Sequence, residues 1–245
     1  MSGPSTNPSV AMVLAAGLGK RMRPITDTIP KPLVRISGKT LLDWGLDSLT
    51  EAGVEKAVVN VHYLPDQLVE HVASRTAPRI VISDERDGLL DSAGGIVKAL
   101  PELGAEPFYI VNADTFWIDA GEPNLTRLAL AWDDARMDIL IMLADLDQAT
   151  GHSGSTDFLM APDGRLSRAR GAPEGLIYAG AAIVHPCIFA GATVEPASLN
   201  RYFDEAIAAG RLHGLQMQGS WITVGTPDAI ASAEAAVTRA LAGAQ

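Results

Sequence analysis

Cysteine is almost absent from this 245-residue chain: Cys187 stands alone, so no intrachain disulfide can form. That excludes a small disulfide-stapled scaffold and fits a reducing cytoplasm. Cys187 lies among apolar neighbours, which predicts a buried, inert thiol. Long hydrophobic runs are missing too: none approaches the roughly 20 residues of a membrane span. Residues 1–9 are rich in Ser, Pro and Asn and contain no apolar stretch, so they read as a disordered leader rather than a secretory signal. Cations are few, 19 against 29 acids, and the formal net charge of −10 disfavours a protein that coats a nucleic-acid backbone. The histidines (His62, His71, His152, His185, His213) show no metal-ligand spacing. Neither H-E-x-x-H nor G-x-S-x-G occurs, and no Cys/His pair suggests a nucleophile.

What the chain does have is apolar substance. Nearly half of its residues, 47%, are hydrophobic, enough for a large packed core, and the length suits one domain over residues 10–245. Residues 10–16 (VAMVLAA) form an unbroken apolar run, the pattern of a strand covered on both faces in a parallel sheet. Residues 56–61, 79–82, 108–111 and 138–143 read as further strands. Helical segments alternate with them at 40–52, 65–74 and 94–100. The first has a Thr40/Asp43 cap and Gly53 in the terminating position. Such alternation predicts an α/β fold with a doubly wound, mostly parallel, Rossmann-like sheet. The second half differs. Residues 157–168 read as a hairpin about Pro162-Asp163-Gly164, residues 176–184 as a strand, and residues 212–224 as two more, together a small β-rich substrate lobe. A last helix is expected from Thr226, Pro227 and Asp228, with Ile230, Ala233, Val237 and Leu241 as its apolar stripe.

The first strand runs straight into Gly17-Leu18-Gly19-Lys20-Arg21-Met22-Arg23-Pro24. Glycines there let backbone N–H groups face an anion at the carboxyl end of a parallel strand. Lys20, Arg21, Arg23, Lys31 and Arg35 make this the one cationic stretch of an acidic chain, which suits a small anionic ligand. It is not a dinucleotide fingerprint, because Met22 stands where the third glycine belongs. It is not a Walker A loop either, because Lys20 is followed by Arg21. Downstream, Asp114 closes the apolar strand at 108–111. An acid just past a strand end points into the same crevice, and a carboxylate is a suitable oxygen ligand for Mg²⁺.

Residues 12–33, MVLAAGLGKRMRPITDTIPKPL, resemble the signature of the sugar-1-phosphate nucleotidylyltransferase family over some twenty consecutive positions. The resemblance implies that a nucleoside triphosphate and a sugar 1-phosphate become a nucleotide-sugar and pyrophosphate, with Mg²⁺ as cofactor. It implies that Ala15, Ala16, Gly17 and Gly19 cradle the nucleotide and that Arg21 grips its phosphates. Lys31, stiffened between Pro30 and Pro32, would reach the reacting phosphoryl groups. Asp114 corresponds to the family's metal carboxylate, with Asn112 just before it. Residues 84–99 (DERDGLLDSAGGIVKA) resemble the segment that lines the base pocket, which carries over Glu85, Asp91, Ser92, Gly94 and Gly95. A helix cap with packing glycines is the other reading of the same residues. Residues 176–181 (LIYAGA) resemble the strand whose glycine, here Gly180, approaches the sugar. Glu174 lies upstream of it, and Glu195, Ser198 and Asn200 fall in a loop that would line the sugar site. Within the family the short chain, LDSAGG and VGTP imply UTP and N-acetylmuramate 1-phosphate as substrates, as in cell-wall recycling, with guanylyl transfer to mannose 1-phosphate as the alternative. A monomer or small homo-oligomer is expected.

Two departures stand out. The family's second metal acid sits in W-x-D-[VT]-G-T, and this chain has Thr223 in its place, within Trp221-Ile222-Thr223-Val224-Gly225-Thr226. Either Asp114 holds the ion with water and phosphates, or Asp228 or Asp204 moves in, or the protein binds nucleotide-sugars as a catalytically impaired regulator. The lysine that the family carries after Glu174 is also missing, and Arg168 or Arg170 is the expected substitute. No general base is called for. The attacking group is a phosphate whose second pKa is about 6, so it is largely ionised at neutral pH.

Overall fold

The structure is a computed structural model and describes residues 7–243. Its elements run β1 (Val10–Leu14), β2 (Arg35–Ile36), β3 (Lys39–Thr40), α1 (Leu41–Glu51), β4 (Lys56–Val61), α2 (Pro65–Val72), β5 (Arg79–Asp84), α3 (Asp91–Leu103) and β6 (Phe108–Asn112). There follow β7 (Thr115–Asp119), α4 (Asn124–Ala131), β8 (Ile139–Ala144), β9 (Ala149–Thr150), β10 (Phe158–Met160), β11 (Leu166–Arg168), β12 (Ile177–Val184), α5 (Leu199–Ala208), β13 (Leu212–Gln216), β14 (Gly219–Thr223) and α6 (Ala229–Gly243).

Seven strands form the central sheet in the order β13-β8-β12-β6-β1-β4-β5. All run parallel except β12, which pairs antiparallel with both β6 and β8. β1 lies near the middle, and its alternate side chains feed opposite faces. Ala11 and Val13 join the cluster built by Leu42, Leu46 and Leu49 of α1, Leu68 of α2 and Leu125 and Leu128 of α4. Met12 points the other way, to Ile96 and Leu103 of α3 and Tyr202 and Phe203 of α5. Covering both faces is what makes the uninterrupted apolar strands necessary. The fold is the expected α/β class with a doubly wound, mostly parallel sheet.

A third cluster lies beyond the edge of this sandwich. Met22, Val34, Ile36, Leu41, Phe116, Ile222 and Val224 pack there against Ala229, Ala233, Ala236 and Val237 of α6. It joins the loop after β1 to a three-stranded sheet, β7-β14-β9. The β10–β11 hairpin forms as expected.

Several expectations are corrected. Of the leader, residues 1–6 lie outside the described residues. Pro8, however, is buried, and the Ser9 carbonyl accepts from Glu55 N and Lys56 N, which docks this stretch on β4. α3 begins at Asp91, three residues before Gly94, because Ala93 N and Gly94 N both find the Ala197 carbonyl. Thr226-Pro227-Asp228 is a turn, with Ala229 N donating to Thr226 O, and α6 starts only at Ala229. Leu241 is exposed, and Ala236 takes its place in the stripe. Residues 199–208 are helix rather than loop, because Ser198 accepts from Asn200 N as an N-cap. Cys187 is exposed: the short turn Pro186–Phe189 sends Phe189 into the core and leaves the thiol outside.

Candidate active site

The loop after β1 is shaped by one buried anchor. Met22 sits in the third core cluster, so the turn Lys20–Met22 keeps Lys20 and Arg21 outside. Gly19 has φ +61, and a Cβ there would lie 3.0 Å from Thr26 Cγ2 and 3.1 Å from Lys31 Cβ. Both the backbone angle and the crowding demand glycine. Its carbonyl accepts from Thr26 Oγ1 at 2.8 Å and Met22 N at 2.9 Å. Gly17 is the opposite case: a Cβ there would meet nothing within 4 Å, so the space above it is open to a ligand. Ala15 and Ala16 are buried, and Ala15 N donates to Asn60 Oδ1 at 2.7 Å. The Arg21 guanidinium forms no ion pair among the described residues and lies beside Gly225, 3.7 Å from where a Cβ of that residue would be.

Lys31 and Asp114 meet across this loop. Lys31 opens a short turn after Pro30, and its buried Nζ lies 2.8 Å from Asp114 Oδ2. Asp114 follows β6, where Ala113 N donates to Leu14 O and continues the pairing with β1. Its side chain is 42% exposed, so the carboxylate remains within reach of solvent and ligands. Val224 N donates to Asp114 O, and β14 pairs with β7 so that Thr223 faces Thr115. Arg21, Lys31, Asp114 and Thr223 therefore border one crevice at the carboxyl ends of β1 and β6. No group of three or more His, Cys, Asp or Glu side chains suited to a metal occurs among the described residues. The Asp114 carboxylate offers an oxygen donor, which fits an ion that arrives with most of its ligands as phosphate and water. Asp204 does not substitute for the missing second acid, because it pairs instead with Arg168.

Because β12 runs antiparallel to β6, its first residues lie at the same crevice. Gly180 has φ +82 within a bulge in β12, and a Cβ there would lie 2.4 Å from Thr115 Oγ1 and 3.3 Å from Asn112 Cβ. The half-buried Asn112 ends β6 opposite Leu14 of β1. Tyr178 has a buried hydroxyl without a partner among the described residues, and burial, reinforced by the charge of Asp114, pushes its pKa up. Glu174 is exposed in the turn that feeds β12. Arg168 is engaged within the protein: it reaches Asp204 at 2.8 Å and Asn200 Oδ1 at 3.0 Å, and lies over the Phe158 ring. Asn200 is thus in the first turn of α5, occupied by Arg168, while Arg170 is exposed at φ +51.

The segment resembling a base pocket is built largely inward. Glu85 is 1% exposed, and Asn60 Nδ2 donates to its Oε1 at 2.7 Å while Leu90 N donates to its Oε2 at 3.2 Å. A Cβ on Gly94 would lie 2.1 Å from the Glu195 carbonyl, and one on Gly95 would lie 2.6 Å from Glu85 Oε1. Both glycines are required by contacts inside the protein. Asp91 holds φ +59 and accepts from Ser92 N, and Ser92 Oγ accepts from Leu199 N. Asn60 escaped the sequence reading. Its signal is a single amide within the apolar run that follows Lys56 in the strand KAVVNV.

An open glycine loop, an exposed guanidinium, a buried ammonium and an acid at the carboxyl edge of a doubly wound sheet suit a ligand that brings phosphate groups. The comparisons agree. A family model described as a MobA-like NTP transferase domain matches residues 11–198. N-acetylmuramate alpha-1-phosphate uridylyltransferase of Caulobacter vibrioides is 43% identical, over 96% of this chain and all of that one. Its namesake from Neisseria meningitidis is 34% identical, over 92% of this chain and 96% of its own. Among solved structures, the inositol-1-phosphate CTP transferase from T. maritima superposes with a TM-score of 0.76 over 94% of this chain and 97% of that one, at 19% identity, a likeness of fold. The chain belongs to the MobA-like NTP transferase family and is a nucleotidyltransferase.

Proposed function

We propose that this protein transfers a uridylyl group from UTP to N-acetylmuramate 1-phosphate, releasing pyrophosphate. The reading is carried by end-to-end similarity to a uridylyltransferase of that specificity. The phosphate of the sugar attacks the α-phosphorus in line. A new P–O bond forms, the α–β bond breaks, and pyrophosphate departs with its electron pair. The attacking phosphate is already largely ionised, so positioning and charge neutralisation do the catalysis.

In this reading the open face of Gly17, the buried Ala15 and Ala16, and Gly19 bound the phosphate cradle. Arg21, with no acid paired to it among the described residues, takes phosphate oxygens through its planar fork. Lys31 offsets charge as it builds on the transferring group. Asp114 would hold magnesium together with phosphate oxygens and water, with Thr223 alongside. When bound, the ion neutralises the triphosphate and its leaving group. Asn112, Glu174, Gly180 and Asn200 border the side from which the sugar would enter, Asn200 through its hold on Arg168. We further read residues 10–245 as one domain working in the cytoplasm, as a monomer or small homo-oligomer. No helix among the described residues is long and apolar enough to cross a membrane.

The test is pyrophosphate release across the four nucleoside triphosphates and a panel of sugar 1-phosphates, with and without Mg²⁺. UTP with N-acetylmuramate 1-phosphate should give the highest kcat/KM. Preference for GTP with mannose 1-phosphate would replace the substrates. Nucleotide-sugar binding without any pyrophosphate release would replace catalysis by a regulatory role.

A further inference from the structure

Four segments of the chain are tied together by one polar relay centred on two buried side chains. Asn60, near the carboxyl end of β4, is 2% exposed. Its Oδ1 accepts from Ala15 N at 2.7 Å, at the root of the glycine loop. Its Nδ2 donates to Glu85 Oε1 at 2.7 Å, and the second Glu85 oxygen accepts from Leu90 N at 3.2 Å, just before α3. The Glu85 backbone is clamped as well: its N donates to Val61 O at 2.8 Å, and its carbonyl lies 2.7 Å from His62 Nδ1. α3 makes room for the pair by having no side chain at Gly95, where a Cβ would fall 2.8 Å from Asn60 Nδ2.

We infer that Asn60 is a positioning residue for nucleotidyl transfer, acting through Glu85 to hold the glycine loop and the segment 85–95 in one fixed relation. The physical case has two parts. An amide buried in a strand costs free energy unless each of its groups is paired, and here every bond goes to the two segments that flank the nucleotide side of the crevice. Ala15 N–H donates from the first residue after β1, two positions before the loop opens at Gly17. The bond fixes the Leu14–Ala15 peptide from which the loop departs, and catalytic geometry tolerates displacements well under 1 Å. The relay thus makes phosphate placement depend on how residues 85–95 are seated. A nucleotide whose base disturbs that segment pays in phosphate alignment, and discrimination reaches the reacting atoms.

The inference rests on the family activity and not on uridine as the base, because the reference in each assay is whichever nucleotide the wild-type protein uses best. In Asn60→Ala, kcat/KM for that nucleotide should fall at least tenfold, KM for the sugar 1-phosphate should stay within twofold, and the ratio between best and second-best nucleotide should shrink at least threefold. A purely structural loss lowers the amount of active protein and leaves that ratio untouched, so an unchanged ratio overturns the inference. The second arm swaps the partners. Asn60→Asp keeps the acceptor for Ala15 N–H but sets two carboxyl groups against each other. Adding Glu85→Gln restores the bond with its polarity reversed, the new amide donating to the new carboxylate while its oxygen still accepts from Leu90. The double variant should recover nucleotide selectivity to within threefold of wild type. A double variant no more selective than Asn60→Asp alone would sink the proposal.

Discussion

Lys31 Nζ stands 2.8 Å from Asp114 Oδ2, although 83 positions separate the two in the chain. The ammonium is largely buried and the carboxylate partly open, so the pair is anchored from the lysine side and presents the acid to whatever fills the crevice. In the protein without nucleotide, each group is the other's counter-ion. This keeps a buried ammonium paired and the crevice preformed.

The first prediction concerns that pair. Lys31→Ala and Asp114→Asn should each lower kcat about 10²- to 10³-fold, the usual cost of removing one preorganised charge at a reacting phosphoryl group. Lys31→Arg should fail to restore the rate, because a planar fork does not replace a compact ammonium at a 2.8 Å contact. Steady-state pyrophosphate release checks both. A kcat within threefold of wild type in either loss variant would remove these residues from the reaction.

Thr223 stands beside Asp114 where a second acid would serve a metal. Thr223→Asp should shift the Mg²⁺ titration of activity to about tenfold lower concentration, since added ligand charge tightens binding of a hard cation. An unmoved midpoint would mean that this position does not face the ion.

The two loop glycines should separate stability from binding. Gly19→Ala forces an L-residue to φ +61 against Thr26 and Lys31, and should destabilise the fold by about 1–3 kcal/mol in denaturant unfolding. Gly17→Ala adds a methyl to open space and should leave stability within about 0.5 kcal/mol. That methyl would sit where phosphate is expected, so nucleotide KM should rise severalfold. Equal effects of the two changes on stability would contradict this division.

His213 supplies a pH dependence unrelated to catalysis. It is buried in β13 with Nδ1 unpartnered among the described residues, and burial first, then the charge of Arg136, lowers its pKa below the ordinary value of 6.5. The folded protein therefore binds a proton at this imidazole less readily than the unfolded chain does. Stability from this source is complete above the unfolded pKa and declines as pH falls below about 6.5, by at most about 1.4 kcal/mol per unit. Thermal unfolding from pH 7.5 to 5.5 should show the decline, and His213→Phe should flatten it. A variant with the wild-type slope would assign the effect elsewhere.

Local signals carried the sequence reading where they were strong. The apolar runs became β1, β4, β6 and β8, because a strand covered on both faces must be apolar throughout. Thr40 caps α1 as read, its Oγ1 accepting from Asp43 N. β7 and α4 went unread, since Thr115–Asp119 follows β6 after only two residues and α4 begins with Asn124, whose side chain serves Asp119 and Gln218 rather than a helix cap. Cys187 shows the limit of neighbourhood as a guide to burial: an apolar local sequence still turns one residue outward.

By itself, the sequence determined most of the strands, the alternation with helices and the glycine loop that ends β1. These follow from backbone stereochemistry and from apolar patterning over a few residues. Only the tertiary structure decided that Lys31 meets Asp114, that Arg168 is spent on Asn200 and Asp204, and that Glu85 turns inward to Asn60. Those relations depend on which strands lie side by side, and parallel pairing through crossover helices brings together residues that no local pattern links.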